Sequence, residues 1–572
     1  MHGADEFLKA ITVVLCVAAV TTVIFQRLRL PIVLGYILAG LIVGPYVPIP
    51  LVADREIVQT LSELGVILVM FAIGLEFRLG KLFRIGPTAG LTALIESSIM
   101  VWLGFMVARG FGWTTRESIF AGAIVAISST TIIAKTFDEQ GVERRLRELV
   151  FGILIVEDLI AILLMAILTT LSSGGRVSAE SIAHSSGRLA AFLVGLVVVG
   201  MLVVPRAVRA INRLKRTETT LVASIGICFA VALLAHKLGY SVALGAFVAG
   251  SMVAESGEAK HIEHLVAPVR DLFAAIFFVS VGMSIDPALV VQHWRAVSVF
   301  ATLVIVGKLV GVSTGAFLTG NGTQMSVKAG MSLTQIGEFS FIIAGLGVTL
   351  QATGEFLYPV AVAVSAITTL TTPLLIRAAA PVASFLDHKL PRPLQTFATL
   401  YGTWVEQLRA PRAADDSRWS VKRLVRLLVL DCGLLVGLVI GTSLSIDHIS
   451  ALGVRELGLS PLLSRAAVLV AALLLATPMI FGVFNLTHRL GLSIGEPERG
   501  EANRVDLAAT PRRALVVTLQ LVIVLVIGLP VVAMTQPFFP AWLEALLLTL
   551  VIVVLGLAFW RSATNLQGHV KA

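Results

Sequence analysis

The sequence predicts an all-α, polytopic membrane protein. Two observations support this prediction: the amino-acid composition and the positions of the charged residues. Of the 572 residues, 57% are hydrophobic and only 14% are charged, whereas a soluble domain carries about a quarter charged residues. The apolar residues fall in runs long enough to cross a ~30 Å hydrocarbon core as helices. The net charge of +9 comes from Lys and Arg in the short segments between those runs. That pattern orients membrane helices, so we exclude nucleic acid as a partner.

Thirteen candidate membrane spans precede residue 380. They are windows of about 17–25 mainly apolar residues. The windows lie near 6–25, 31–49, 58–76, 86–108, 117–135, 149–171, 189–205, 218–236, 240–254, 267–284, 297–319, 326–351 and 355–376. The first is too long and too acidic at its start for a cleaved signal, so we expect it to remain in the mature protein.

The distribution of basic residues predicts the orientation of these spans. Most Lys and Arg before residue 380 would lie on one side of the membrane if the N-terminus is outside. Loops rich in Lys and Arg stay in the cytoplasm. The sequence therefore predicts an outside N-terminus, with residue 380 and the C-terminus in the cytoplasm.

The chain changes character after residue 380. Residues 381–422 are polar and basic, and apolar side chains recur there at three- and four-residue intervals: Leu394, Phe397, Tyr401, Trp404, Val405 and Leu408. This stripe is typical of a helix in the membrane interface, or of one docked on protein. Four further spans follow near 424–445, 464–486, 512–534 and 540–560. We predict a transport domain at 1–380, a linker at 381–422, a membrane extension at 423–563 and a cytoplasmic tail at 564–572.

An acidic pair interrupts the sixth span. Glu157 and Asp158 lie within GILIVEDLIAILL, residues 152–164. At ~1.5 Å per residue they lie about 12–15 Å into the bilayer. A charged group costs about 2.5–3.5 kcal/mol at that depth, so it faces a cavity or a partner and usually marks an ion or proton path. The alternative is a structural pair neutralised at a helix interface.

Two other spans contain breaks near the middle of the membrane. The fifth has four consecutive hydroxyl residues, Ser128, Ser129, Thr130 and Thr131, whose side chains compete for backbone hydrogen bonds. The twelfth has Gly337 followed by Glu338. Spans seven apart run in opposite directions, so this pattern indicates inverted repeats with crossing half-helices at a midplane ion site. Ordinary helix packing is the alternative for the hydroxyl cluster.

Lys308 lies deep in the eleventh span and needs a carboxylate nearby. We predict Glu157 as that partner, which leaves Asp158 as the acid that exchanges its proton. Glu96 and Asp431 also lie within apolar runs, and for both we expect a satisfied interfacial carboxylate without a role in transport.

Several long segments resemble one known family. They are LRLPIVLGYILAGLIVGP (28–45), LSELGVILVMFAIGLEF (61–77), SVALGAFVAGSMVAES (241–256), FFVSVGMSID (277–286) and IGEFSFIIA (336–344). In this order they strongly resemble the second monovalent cation:proton antiporter family over residues 1 to about 380. The resemblance implies a thirteen-helix inverted-repeat fold, with a dimerisation domain, a core domain that moves like an elevator, and a homodimer in the bacterial cytoplasmic membrane.

The resemblance also implies roles for particular residues. Asp158 matches the family's cation- and proton-binding aspartate, with Glu157 beside it and Lys308 at the position of the compensating lysine. Glu157 falls where electrogenic members have a second acid and potassium-efflux members commonly have Gln. One broken helix corresponds to Ser128, Ser129, Thr130 and Thr131, and the other to Gly337 with Glu338 as a compensating charge. The four C-terminal spans stand where many members carry a nucleotide-binding domain.

The sequence therefore predicts exchange of Na⁺ or K⁺ for H⁺ at Asp158, with membrane lipid and a second copy of the chain as partners. We predict no cofactor and no resident metal, because no nucleotide, cofactor or metal-ligand motif is present. Nor does the chain offer a candidate nucleophile for an enzyme. A gated cation channel and a non-transporting sensor or scaffold remain alternatives, and the choice among Na⁺, K⁺ and Li⁺ stays open.

Overall fold

The structure is a computed structural model that describes most of the first 389 residues and parts of the remainder. The described residues are 2–28, 31–47, 55–76, 87–172, 200, 202–214, 216–238, 241–389, 395, 417–457, 460–495, 523–525, 528–533 and 535.

The described residues form helices joined by short turns. In chain order we label them α1 (His2–Arg27), α2 (Ile32–Val43), α3 (Arg55–Glu76), α4 (Pro87–Gly110), α5 (Thr115–Val125), α6 (Thr130–Gln140), α7 (Arg144–Ser172), α8 (Thr217–Lys237), α9 (Val242–Ala254), α10 (Ala259–Met283), α11 (Pro287–Gln292), α12 (Trp294–Leu318), α13 (Thr323–Ser332), α14 (Glu338–Thr349), α15 (Leu357–Lys389), α16 (Ser417–Leu457) and α17 (Pro461–Gly495). Residues 202–212 and Ile523–Ala533 are also helical where described.

The all-α membrane fold is confirmed. Eight helices within the described ranges are long and apolar enough to cross a membrane. The last predicted span before the linker is longer than expected, because α15 continues to Lys389 through Pro373 and Pro381. The predicted spans 189–205 and 512–534 lie mostly outside the described residues, and the span at 540–560 lies wholly outside them. The amphipathic stripe from Leu394 to Leu408 is outside as well.

Glycine pairs allow two helix crossings to be very close. A Cβ atom on Gly40 of α2 would stand 2.8 Å from the Cα of Gly282 of α10. A Cβ on Gly250 of α9 would likewise stand 2.8 Å from the Cα of Gly74 of α3. Lipid offers no hydrophobic drive for helices to associate, so close backbone packing of this kind supplies much of the attraction. A side chain at any of the four positions would push these helices apart.

The helices before residue 390 pack in two groups. In one, α3 packs on α9 and α10, α2 packs on α1 and α10, and α8 packs on α9. In the other, α4 packs on α5, α7 and α12, and α13 packs on α12 and α15. The two broken spans and the acidic pair belong to the second group. We call it the core group and the first one the panel group.

The C-terminal extension contacts the core group. Its helices α16 and α17 form a hairpin, in which the Ser464 hydroxyl donates to the Ser450 carbonyl at 2.8 Å. Farther along the chain, Leu525 and Leu529 of Ile523–Ala533 pack against the buried Ile95 on α4 and Leu318 on α12. Those two helices carry Glu96 and Lys308, so the extension contacts both helices of the pair that supplies these charged groups.

Candidate functional site

The two broken spans touch where their helices stop. Helix α5 ends at Val125 and α6 begins at Thr130, while α13 ends at Ser332 and α14 begins at Glu338. The Gly337 amide donates to the Ile127 carbonyl at 3.2 Å, which joins the two interruptions directly. Ser129 caps α6 by accepting a hydrogen bond from the Ile132 amide at 3.3 Å. Such capping satisfies backbone groups that a helix start leaves without partners.

Helices α5 and α14 run in opposite directions. The Ser340 hydroxyl, in the first turn of α14, donates to the Ile124 carbonyl at the end of α5 at 2.6 Å. At the other end, the Gly354 amide after α14 donates to Glu117 in the first turn of α5 at 3.1 Å. The antiparallel orientation that the odd spacing of the spans predicted is therefore confirmed for these two half-helices.

Gly337 is required at the crossing because the other broken helix passes directly over it. A Cβ atom there would lie 2.5 Å from the Ser129 Cα and 2.7 Å from the Ser129 amide nitrogen. These neighbours are backbone atoms, which cannot rotate away. We expect Gly337→Ala to separate the two breaks and lower thermal stability by several degrees, because overpacking a tight site costs about 1–3 kcal/mol.

The measurement for Gly337→Ala is the melting temperature of the detergent-solubilised protein. Gly226→Ala on α8 is the matched control, because a Cβ at Gly226 meets nothing within 4 Å. Equal stability of the two variants would contradict the tight crossing.

The predicted site residues Asp158, Thr130, Ser129 and Glu338 come together at this crossing. The Thr130 hydroxyl donates to Asp158 Oδ2 at 3.4 Å, and the Ser129 hydroxyl donates to Glu338 Oε2 at 2.9 Å. Asp158 is 7% exposed and Glu338 is 5% exposed. Thr131 lies in the first turn of α6, but its side chain is outside the described part of the chain.

Lys308 is also at the crossing, with a different principal partner from the one we predicted. Its ammonium nitrogen lies 2.6 Å from Glu96 Oε1 and 3.8 Å from Glu157 Oε2. It also donates at 3.0 Å to both the Ala126 carbonyl and the Ser128 hydroxyl. The expectation that Glu96 is an interfacial carboxylate is therefore wrong, since Glu96 and Lys308 form a fully buried ion pair. Helix α4 packs on α12 and brings the two together.

Glu157 accepts a hydrogen bond from the unwound backbone of the fifth span. Its Oε2 atom accepts a hydrogen bond from the Ser128 amide at 2.7 Å. That amide lies between α5 and α6, where the helix offers it no carbonyl partner. Glu157 therefore stabilises the unwound backbone, and its second role is an electrostatic one toward Lys308 at 3.8 Å.

The buried charges in the described part of the chain are concentrated at this crossing. Among the described residues, the buried Asp, Glu, Lys and Arg side chains are Glu96, Glu157, Asp158, Glu338 and Lys308. The hydrogen bonds given above link four of them to residues 126–130, and Glu96 joins the cluster through Lys308. The cluster contains four carboxyl groups and one ammonium group, so it carries a large negative excess when all are ionised. Burying such an excess is unfavourable unless protons or cations neutralise it.

Sequence reasoning missed a further polar side chain, Gln335. It is fully buried, donates to the Ser129 carbonyl at 3.4 Å and accepts from the Thr372 hydroxyl of α15 at 3.2 Å. It thus ties both breaks to α15. Its position in SLTQIGEF, two residues before Gly337, was the available signal.

Comparison with known proteins identifies the family. Residues 12–378 match the family described as sodium/hydrogen exchanger, transmembrane. The chain belongs to the sodium/hydrogen exchanger family. The match covers well over half of the chain and includes every residue of the buried charge cluster.

Curated relatives of this exchanger family match over a similar length. YbaL of Escherichia coli, named for cation/proton antiport, is 33% identical over 367 residues, which cover 61% of this chain and 64% of that protein. The K⁺ efflux antiporter 5 of Arabidopsis thaliana is 32% identical over 381 residues, covering 65% and 66%. The high-affinity Na⁺/H⁺ antiporter NhaS3 of Synechocystis is 29% identical over 332 residues, covering 57% and 72%. The chain spans about two thirds of the length of the first two relatives.

A solved exchanger structure has a similar fold. The sodium proton antiporter MjNhaP1 of Methanocaldococcus jannaschii aligns with a TM-score of 0.54 and 16% identity, covering 67% of this chain and 98% of that one. At this level of identity the likeness concerns the fold alone, and it confirms the antiporter fold that we predicted.

Proposed function

We propose that this protein exchanges a monovalent cation, Na⁺ or K⁺, for protons across a membrane. The observation that carries the proposal is the buried cluster at the helix crossing, which contains four carboxyl groups and one lysine. The negative excess of this cluster can be reduced by a proton or by a monovalent cation, and competition between the two is what antiport requires. The proposed exchange is also supported by the family membership of the chain and by relatives that are named as antiporters of K⁺ and of Na⁺.

We propose that the cation and the proton compete for the carboxylate of Asp158. When ionised, it offers a carboxylate next to the Thr130 hydroxyl at 3.4 Å, and hydroxyl or carbonyl oxygens of residues 128–131 and water complete the coordination of a dehydrated cation. Protonation removes the charge that holds the cation, so the cation leaves. Lys308 and Glu157, whose charged atoms lie 3.8 Å apart, then stabilise the empty or protonated state.

The two packing groups support alternating access by an elevator movement. Helices of the core group carry all five buried charges, whereas the panel group contributes none of them. The core group can therefore move with its ion site intact while the panel group stays in place. A rigid body of this kind is typical of transporters with crossing half-helices.

We further propose the setting in which this exchange takes place. The domain boundaries, the orientation and the homodimer in a bacterial cytoplasmic membrane stay as the sequence predicted them. The exposed apolar side chains on α1, such as Leu8 at 65% and Val20 at 60%, are available to lipid or to a second copy.

The experiment is to reconstitute the full chain in liposomes that contain a pH-sensitive dye. Na⁺, K⁺, Li⁺ and choline are added in turn on the outside. We expect at least one of the alkali cations to drive proton movement and choline to drive none. The proposal would be overturned if no cation drives proton movement although a cooperative melting transition shows that the protein is folded.

A further inference from the structure

We propose that Glu96 is a positioning residue for the transported ions: it neutralises Lys308, so that Glu157 and Asp158 keep their negative potential for the cation and the proton. This inference rests on the proposed exchange and deepens it. Glu96 lies on α4, whereas the acidic pair lies on α7.

The hydrogen bonds of Lys308 are the first observation. An ammonium group has three N–H donors. All three are used, by Glu96 Oε1 at 2.6 Å, the Ala126 carbonyl at 3.0 Å and the Ser128 hydroxyl at 3.0 Å. Glu157 at 3.8 Å receives none of them and only feels the charge. The lysine is therefore held to Glu96 and to the unwound backbone, and the negative charge of Glu96 offsets much of the positive potential that the ammonium would otherwise exert on the acidic pair.

The hydrogen bonds of Glu96 also support its pairing with Lys308. Its Oε1 atom holds Lys308, and its Oε2 atom accepts from the Ser97 hydroxyl at 3.1 Å. Both carboxylate oxygens therefore have donors, and the side chain is completely buried. An ionised Glu96 is well accommodated here, because a charge-assisted hydrogen bond to a buried ammonium is among the strongest available.

Few ionisable groups face this pair. Helices α13 and α15 pack on α12, but their Asp, His, Lys and Arg residues lie outside the buried charge cluster: Lys328, Arg377, Asp387, His388 and Lys389. Helix α7 brings Glu157 and Asp158, and α12 brings Lys308. Helix α5 also packs on α4, but its ionisable residues, Arg116 and Glu117, lie in its first turn, at the far end from Ala126. Glu338 of α14 is at the other side of the crossing, bonded to Ser129. The described residues of Ile523–Ala533, which pack on Ile95, carry no ionisable side chain.

Removing the Glu96 charge should weaken the binding of both the cation and the proton at Asp158. In Glu96→Gln the ammonium of Lys308 is uncompensated, and its nearest acid becomes Glu157. The potential at Asp158 becomes more positive, so both the cation and the proton bind less tightly. One buried charge several ångströms away at an effective dielectric constant of ~20 changes binding by about tenfold. We therefore expect the pH of half-maximal exchange to fall by about one unit and the apparent KM for the cation at alkaline pH to rise about tenfold.

The experiment compares Glu96→Gln and three further variants with the wild type in the liposome assay across a range of pH. Glu96→Asp keeps the charge and should stay close to the wild type. Ser98→Ala is the matched control on α4, because the Ser98 hydroxyl bonds to the Leu94 carbonyl of its own helix at 2.6 Å. The double variant Glu96→Gln with Lys308→Gln restores the net charge and should bring the pH midpoint back toward the wild-type value. A merely structural pair would lower the amount of folded protein or the maximal rate without moving the midpoint or KM, and that result would overturn the proposal.

A binding measurement separates this inference from the proposed function. Cation binding stabilises the folded protein, so the melting temperature at graded cation concentrations reports affinity without any transport. We expect Glu96→Gln to need about tenfold more cation for the same stabilisation at alkaline pH, with Glu96→Asp unchanged. A wild type that binds the cation but moves no protons would refute the exchange, while this shift would still support the role of Glu96. Identical titrations of Glu96→Gln and the wild type would refute that role even if exchange occurs.

Discussion

Asp158→Asn is expected to abolish cation-driven proton movement while the protein stays folded. The asparagine side chain has nearly the same shape and can keep the contact with the Thr130 hydroxyl, which lies 3.4 Å from the native carboxylate. It cannot take up or release a proton, and it lacks the charge that holds a dehydrated cation. The loss should therefore be complete within the detection limit of the liposome assay, with a melting temperature within a few degrees of the wild type.

Asp431→Asn is the control for Asp158→Asn. Asp431 is an acid in the extension helix α16, where it lies close to Gly482 of α17 and outside the buried charge cluster. The same chemical change there should leave the exchange rate within a factor of two. Vigorous exchange by Asp158→Asn would contradict the mechanism, because the proton would then have to be carried by another group.

Lys308→Ala is expected to produce the largest loss of stability. The substitution leaves Glu96 and Glu157 in a site with no buried cation, and breaking a buried ion pair costs about 3–5 kcal/mol. The two carboxyl groups can remain buried only by taking up protons, and that uptake becomes harder as the pH rises. The variant should therefore lose most stability at alkaline pH and regain part of it at acidic pH.

Thermal melting between about pH 5 and pH 9 checks this dependence. Lys328→Ala on α13 is the matched control, since Lys328 is only partly buried and lies outside the charge cluster. Surface changes of this kind alter stability by less than about 0.5 kcal/mol. A Lys308→Ala variant whose stability deficit is the same at every pH would show that the ammonium does not neutralise the two acids.

The parts of the site that could be predicted from sequence are those that leave a local signal. A carboxylate in an apolar run is costly wherever it folds, so Glu157, Asp158 and Lys308 could be identified from their depth alone. The hydroxyl run at Ser128 and the glycine at Gly337 mark breaks because they affect the backbone of their own helices. The opposite orientation of the half-helices followed from counting spans.

The pairing of charges could not be predicted in the same way. Lys308 and Glu96 are 212 positions apart, and their contact at 2.6 Å depends on α4 lying against α12. From the sequence we predicted Glu157 as the partner of Lys308, but the Oε2 atom of Glu157 accepts its hydrogen bond from the Ser128 amide. The sequence shows which acids are buried, whereas the packing of helices decides which acid the lysine contacts. For the same reason the contact of Leu525 and Leu529 with the core group had no sequence signal.

The most direct test of cation and proton exchange is proton movement against its own gradient. Liposomes carrying the wild-type protein are loaded with the cation identified in the ion panel, given equal pH on both sides, and diluted into cation-free buffer with the membrane potential held at zero. We predict that the outward cation gradient acidifies the interior, and that Asp158→Asn abolishes the acidification. Cation efflux without any acidification would contradict exchange and would indicate a channel that uses the same buried acids.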